Sequence, residues 1–320
     1  MIRYIIKRLI LMIPTLLGIT LLVLFFITLT PGDPVRLMVG GQVTEEEVEA
    51  LRDELGLNDS FAQRYVKYIK GILTGDMGRS FRTKRAVLTE IMQRFPFTLM
   101  LVTISMVFAI CVGIPVGIYA ATHQYSWKDN AAIFASLFCV SMPNFWFALL
   151  LIQFICVRLG LLPPSGVDNW KGWVLPAFTG SLGFAATIAR QTRSNLLEVI
   201  RQDYITTARA KGQSERLVLY RHALKNAVIP VIMVVGSIFG LAIGGSIVSE
   251  VVFSIPGLGS YTISALQARD YPVIQTSVLF MSTMFAIMLL LIDIVFAIVD
   301  PRIRSQYARR RQRKEKEGAK

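Results

Sequence analysis

The chain has 320 residues, of which 53% are hydrophobic, with a mean hydropathy of +0.53 and a formal net charge of +13. A soluble protein of this length would form one or two domains with much less apolar surface, so the composition argues against a water-soluble fold. Six windows contain no Asp, Glu, Lys or Arg: 9–32, 95–127, 130–157, 172–189, 226–249 and 271–292, of 24, 33, 28, 18, 24 and 22 residues. A helix needs roughly 20 apolar residues to cross the hydrocarbon core. All six can span, the fourth at the lower limit. Burial in a soluble core explains one such window, not six. The predicted fold class is therefore all-α, a polytopic membrane protein with six transmembrane helices.

The placement of charge predicts the orientation. With the N-terminus inside, the inner segments 1–8, 122–129, 190–225 and 300–320 hold twenty-one Lys and Arg, whereas the short outer loops 160–171 and 250–270 hold only Lys171 and Arg269. The long outer segment 33–94 holds ten basic and ten acidic residues, and long loops translocate largely regardless of charge. Both termini are expected in the cytoplasm, so the basic balance gives no argument for nucleic acid. Cys111, Cys139 and Cys156 all fall in apolar windows without metal-ligand spacing and read as small buried residues.

In chain order, residues 1–30 form a cytoplasmic N-terminus and an uncleaved first span, because the apolar run is too long for a signal peptide and no small-x-small cleavage site follows it. TPGDP at 30–34 ends that helix. Residues 31–95 form an extracytoplasmic segment. Thr44 with Glu47 and Ser60 with Gln63 are capping boxes, each opening an amphipathic helix: Val48, Leu51 and Leu55 on one, Phe61, Tyr65, Tyr68, Ile69 and Ile72 on the other. Such stripes are usually packing faces; contact with a substrate-binding protein is the sharper reading. Residues 96–300 form a five-helix core that includes a loop at 190–226. Within it, Pro115 and Pro143 predict kinks in the second and third spans, and Gly113 with Gly117 predicts close helix contact. The fourth span is expected over about 173–190. The fifth carries Gly236, Gly240 and Gly244, read as a packing stripe. A short helix is expected over about 259–269 and the last span over about 272–299. Asp293, near the inner end of that span, is expected to reach water or a basic partner. Residues 301–320 form a basic tail suited to anionic lipid.

The stretch 203–230, DYITTARAKGQSERLVLYRHALKNAVIP, reads as two short helices in a cytoplasmic loop. Asp203 is expected to cap the first. Thr206, Thr207, Ala208 and Ala210 keep one surface small enough for close approach by another protein. Gly212 is suited to the left-handed turn that ends a helix. Ser214 is expected to cap the second helix, which runs on to Pro230. This stretch resembles the cytoplasmic EAA loop of bacterial ABC-importer permease subunits. Thr206-Thr207-Ala208 stands for Glu-Ala-Ala, Gly212 for the loop glycine, and His222-Ala223-Leu224-Lys225 for Ile-x-Leu-Pro; DYIxTARAKG followed by HALKNAxxP is similar to the peptide/nickel branch. SMPxFW at 141–146 and VFSIPGLG at 252–259 are also similar to that family.

The resemblance implies a permease of a bacterial or archaeal cytoplasmic membrane. It implies a second homologous permease subunit, two ABC ATPases carrying ATP and Mg, an extracytoplasmic solute-binding protein, and no cofactor in this chain. The implied ATPase-coupling residues are Asp203, Tyr204, Thr206, Thr207, Ala208, Ala210, Lys211, Gly212, Ser214, Glu215, His222 and Asn226. Pro143, Asn144, Pro256, Gly257 and Gly259 are candidate passage or gate residues. The implied solute is a di- or oligopeptide, with nickel chelate or glutathione as the alternative. No Gly is followed by Lys, so no phosphate-binding loop of the Walker type exists. The two histidines, His123 and His222, have no second metal ligand at suitable spacing. An ATP-independent secondary transporter or channel is the competing class; a membrane enzyme lacks a catalytic cluster.

Overall fold

The computed structural model describes residues 2–39 and 44–299; the basic tail and Asp300-Pro301-Arg302 lie outside them. The described chain is helical. Helix α1 (Ile2–Leu29) is followed by the short helices α2 (Pro34–Val39), α3 (Glu45–Glu54) and α4 (Phe61–Thr74). The bundle continues with α5 (Val87–Thr122), α6 (Trp127–Ser141), α7 (Asn144–Leu151) and α8 (Lys171–Ile200). Beyond these come α9 (Asp203–Ala210), α10 (Glu215–Leu217), α11 (Leu224–Gly245), α12 (Ile247–Val252), α13 (Leu258–Ala268) and α14 (Tyr271–Val299). Arg79 and Ala86 form one isolated β-bridge.

Five helices are long and apolar enough to cross a membrane. The sixth span is a pair: α6, then α7 with a π-helical continuation over Ile152–Arg158, bent by 95°. The kink expected at Pro143 is thus a full break. Proline disfavours helical backbone at the residue before it, and here Met142 is extended at φ −79°, ψ 125°.

The fourth span is longer than the sequence indicates: α8 runs through the basic stretch to Ile200. Of its apolar window 61% is buried, the highest share of any span. A helix surrounded by protein needs less apolar surface than one facing lipid, which explains the weak sequence signal. Its charged end is also neutralised. Arg193 Nε and Nη2 donate to Asp129 Oδ1 and Oδ2 at 2.6 and 2.7 Å, a bidentate pair with the first turn of α6.

Two other boundaries and one expectation of burial also change. Helix α5 begins at Val87, so the expected division at 95/96 falls inside one continuous helix that passes both Pro96 and Pro115. Pro230 does not end the helix after the loop; α11 continues to Gly245. Of the cysteines only Cys156 is buried; Cys111 is exposed and Cys139 intermediate.

Helices α5 and α8 meet through the glycine pair. A Cβ on Gly113 would lie 2.7 Å from the Ala185 carbonyl oxygen, and one on Gly117 would lie 2.5 Å from that of Ala189. Backbone cannot yield as a side-chain tip can. Gly117→Ala is therefore expected to destabilise the folded chain by about 1–3 kcal/mol through overpacking, measured as a lower thermal midpoint in detergent, with Gly183→Ala, which meets open space, as the matched control. In α11, Gly236 and Gly240 pack against Ile292 and Phe285 of α14, whereas Gly244 faces open space.

The traversals leave two distinct ends. At one, Ile27, Val87, Ile91, Leu258, Tyr261 and Val273 share a core. Asp270 there accepts from Ser80 Oγ at 2.5 Å and from the Phe81 N–H at 3.0 Å, pinning the turn before α5 to the start of α14. Both capping boxes form as predicted, and α4 packs back along α1, the Tyr65 hydroxyl donating to the Leu17 carbonyl at 2.9 Å. At the other end Arg8 meets Asp293 at 2.8 Å, the basic partner expected for that carboxylate, and α9 sits between the ends of α5, α8 and α11.

Candidate coupling site at one end of the bundle

Helix α9 is held by its apolar side. Ile205 and Ala208 are buried with Ala121 of α5, Leu196 of α8, Val218 and Ala223 of the π-helical stretch, and Ala227 of α11. The helix is eight residues long and would not persist alone in water; this core fixes it. The residue at its N-terminal boundary is Gln202, with extended backbone at φ −77°, ψ 148°, not Asp203. Asp203 is the first helical residue, where its carboxylate still complements the positive end of the helix dipole. Its carbonyl accepts from Thr207 Oγ1 at 2.9 Å.

The turn after α9 depends on Gly212. Its φ is +76°, a conformation that costs an L-residue about 1–2 kcal/mol. Its N–H donates to the Arg209 carbonyl at 2.9 Å, and that of Lys211 to Thr207 at 3.1 Å. Ser214 occupies the N-cap position of α10 but makes no side-chain cap bond. Arg209 Nε donates to Glu215 Oε1 at 2.8 Å across the turn. From α10 the chain passes through a π-helical stretch, Val218–Ala223, into α11. Asn226 Nδ2 donates to the Tyr204 hydroxyl at 2.9 Å, tying α11 back to α9. His222 is half-buried, its Nε2 lacking a hydrogen-bond partner among the described residues.

The result is a compact helix–turn–helix surface. Asp203, Tyr204, Thr206, Thr207, Ala210, Lys211, Gly212, Ser214, Glu215 and Asn226 are exposed on it. Ala208 is not. It is 7% exposed and faces the chain's own core, so its small size serves internal packing rather than approach by another protein. Leu217 and Tyr220 stand exposed beside the turn.

The candidate gate residues are at separate places. Pro143 and Asn144 lie exposed at the break between α6 and α7. Pro256 is exposed, while Gly257 and Gly259 are buried against Glu250: a Cβ on Gly257 would lie 2.4 Å from the Glu250 carboxylate. Glu250 was not anticipated. It is fully buried, accepting from Thr98 Oγ1 at 2.7 Å, Ser246 Oγ at 3.0 Å and the Ser260 N–H at 2.9 Å, with no cation among these partners. Thr98 in turn accepts from the Leu258 N–H at 2.8 Å. One carboxylate thus joins α5, α12 and the turn into α13.

Two family models match: the binding-protein-dependent transport system inner membrane component over residues 113–305, and its N-terminal counterpart over residues 1–102. The chain is 41% identical over 304 residues, 95% of its length and 99% of the relative's, to the glutathione transport system permease protein GsiC of Escherichia coli K12. Identity and coverage are the same for GsiC of Salmonella paratyphi A. In fold it is similar to the inward-facing MetNI methionine ABC transporter, with a TM-score of 0.55 at 20% identity, covering 67% of this chain and 97% of that one. This chain belongs to the family of binding-protein-dependent transport system inner membrane components, and is a multi-pass ABC-importer permease of the peptide, nickel and glutathione type.

Proposed function

We propose that this subunit forms half of the passage of an ATP-driven importer of glutathione or closely similar short peptides. The observation that carries the transport reading is the surface built by α9, the Gly212 turn and α10. It is rigidly attached to three spanning helices and presents polar, small and aromatic groups outward. A displacement of α9 is transmitted to α5, α8 and α11 through the core around Ile205 and Ala208. ATP and Mg belong to two partner ATPases, which dock on this surface; this chain has no ATPase site of its own. A second permease subunit completes the passage and a solute-binding protein delivers the solute on the opposite side. The charge distribution of the sequence supports cytoplasmic termini.

Among solutes, the 41% identity to glutathione permeases over nearly the whole chain favours glutathione over the di- and oligopeptides or nickel chelates that the motifs alone allow. The test is uptake of radiolabelled glutathione by cells lacking this gene and by the same cells complemented. Loss and restoration of saturable uptake are expected. Loss of dipeptide or nickel uptake instead would move the solute to those classes. Uptake that persists after the ATPase subunits are deleted would place the chain with ATP-independent transporters.

A further inference from the structure

At the end of the bundle opposite the coupling surface, a recess of about 400 Å³ lies between the end of α1, helices α3 and α4, and the start of α14. Its charges are unbalanced. Asp33 is taken by Arg52 and Arg36, which also meet Glu49 and Glu45. Burial alone would push the Asp33 carboxyl up, but bonds from Arg52 and from the Val35 N–H outweigh it and hold the carboxyl below its ordinary value. Asp33 is therefore an ionised, fully used partner. Arg64 also lines the recess, and it meets no carboxylate within ion-pair distance among the described residues.

Arg269 is the second such arginine. Its guanidinium occupies the space beside Gly32 where a Cβ would stand, 1.3 Å from that position, at the rim of the recess. The third group is Tyr271. It is 8% exposed and lines the recess, and its hydroxyl has no hydrogen-bond partner among the described residues. Two guanidinium groups without a carboxylate partner thus stand beside the Tyr271 hydroxyl, which is free to donate to a ligand in the recess. Partly desolvated cations of this kind call for an anion, and a planar guanidinium matches phosphate through paired N–H groups.

The surroundings specify the source of that anion. Helix α4, which carries Arg64, lies along α1 at the level of Leu17 and Thr20, inside the first apolar window. It exposes Val66 and Leu73 at 50% and 81%, apolar side chains suited to contact with acyl chains. Phe26 and Leu29 of α1 are likewise exposed next to the recess. The exposed residues of α4 combine Val66 and Leu73 with Lys67 and Lys70, a mixture that suits acyl chains and an anionic headgroup together.

We propose that this recess is a binding site for the phosphate of an anionic phospholipid, held by Arg64 and Arg269 with the Tyr271 hydroxyl as the third donor. Its acyl chains lie against Phe26, Leu29 and the apolar face of α4. The site fastens α4 and the loop at Gly32–Asp33 to the bilayer, and it is independent of which solute the importer carries.

The full-length protein, extracted with the subunits that accompany it, is equilibrated with phosphatidylglycerol or phosphatidylcholine and examined by native mass spectrometry. Wild type is expected to retain phosphatidylglycerol preferentially. The double variant Arg64→Gln/Arg269→Gln is expected to bind it about tenfold more weakly, as loss of charge-assisted bonds implies, while Lys70→Gln on the exposed side of α4 leaves retention unchanged. Equal retention by wild type and the double variant would overturn the site. So would displacement of the lipid by excess inorganic phosphate, which would make the recess a soluble-anion site. If the double variant does not fold, wild type is crosslinked to phosphatidylglycerol carrying a photoreactive headgroup. Adducts on peptides bearing Thr28–Gly32, Asn58–Arg64 or Tyr271 support the proposal, and adducts confined to other peptides refute it.

Discussion

Gly212→Pro is expected to leave the chain in the membrane and reduce ATP-driven uptake to background. Three effects converge on one position. Proline fixes φ near −65°, against +76° here. It removes the N–H that donates to Arg209. It also forces the preceding residue toward extended backbone, whereas Lys211 sits at φ −75°, ψ 5°. The turn cannot form, Arg209 and Glu215 separate, and the exposed faces of α9 and α10 lose their mutual placement. The spanning helices are untouched, because the turn is exposed and no neighbour lies within 4 Å of a Cβ built on Gly212. Gly212→Ala is expected to retain partial uptake, since its cost is about 1–2 kcal/mol of left-handed backbone.

Docking is separated from turn geometry by Ala210→Arg and Thr206→Arg. Both residues are exposed on α9, so the folded chain should shift by no more than about 0.5 kcal/mol. Co-purification of the ATPase should nevertheless fail. An ATPase that still co-purifies with both variants, at wild-type uptake, would remove α9 from the interface. Ala208→Arg cannot serve this purpose. It places a charge in the core shared by Leu196, Val218 and Ala227 and would report on folding.

What the sequence reveals and what it conceals follow from the range of the forces involved. Capping boxes act over three residues, so Thr44–Glu47 and Ser60–Gln63 were legible and form as expected. A left-handed turn needs one glycine, and Gly212 announces it. Lipid-facing spans announce themselves by composition. Helix α8 announces only its apolar part, about 173–190; its continuation to Ile200 is concealed, because the helix is enclosed by protein and Arg193 is answered by Asp129, sixty-four residues earlier in the chain. Ala208 was misplaced for the same reason. A small residue serves a docking face and an internal contact equally well, and only the position of Leu196 and Val218 distinguishes them. Glu250 escaped notice because it stands one residue beyond an apolar window and its donors lie on three separate elements.

Glu250→Ala is expected to be the most damaging single change at the end opposite the coupling surface. The carboxylate collects three donors in a fully buried position. A hydrogen bond to a charged group contributes about 1.5–3 kcal/mol, and a buried donor left unpaired costs about 1–3 kcal/mol. Losses that are not fully additive still leave an expected destabilisation of about 3–5 kcal/mol. Glu250→Gln should cost less. Its carboxamide oxygen still accepts from Thr98 and Ser246, but its NH2 group faces the Ser260 N–H, so one donor meets another. The order wild type, Glu250→Gln, Glu250→Ala should appear in thermal midpoints measured in detergent. Thr98→Val tests the same node from α5, since it removes both the bond to Glu250 and the acceptor for the Leu258 N–H. If Thr98→Val and Glu250→Ala act through one network, their combined cost is less than the sum of the two. Strict additivity would show that the carboxylate does not hold α5 to the turn before α13. Gly257, where the atoms nearest a Cβ are all of the Glu250 carboxylate, should then tolerate alanine once Glu250 is shortened, whereas Gly259 should not, because a Cβ there also meets the Ile247 backbone at 2.8 Å.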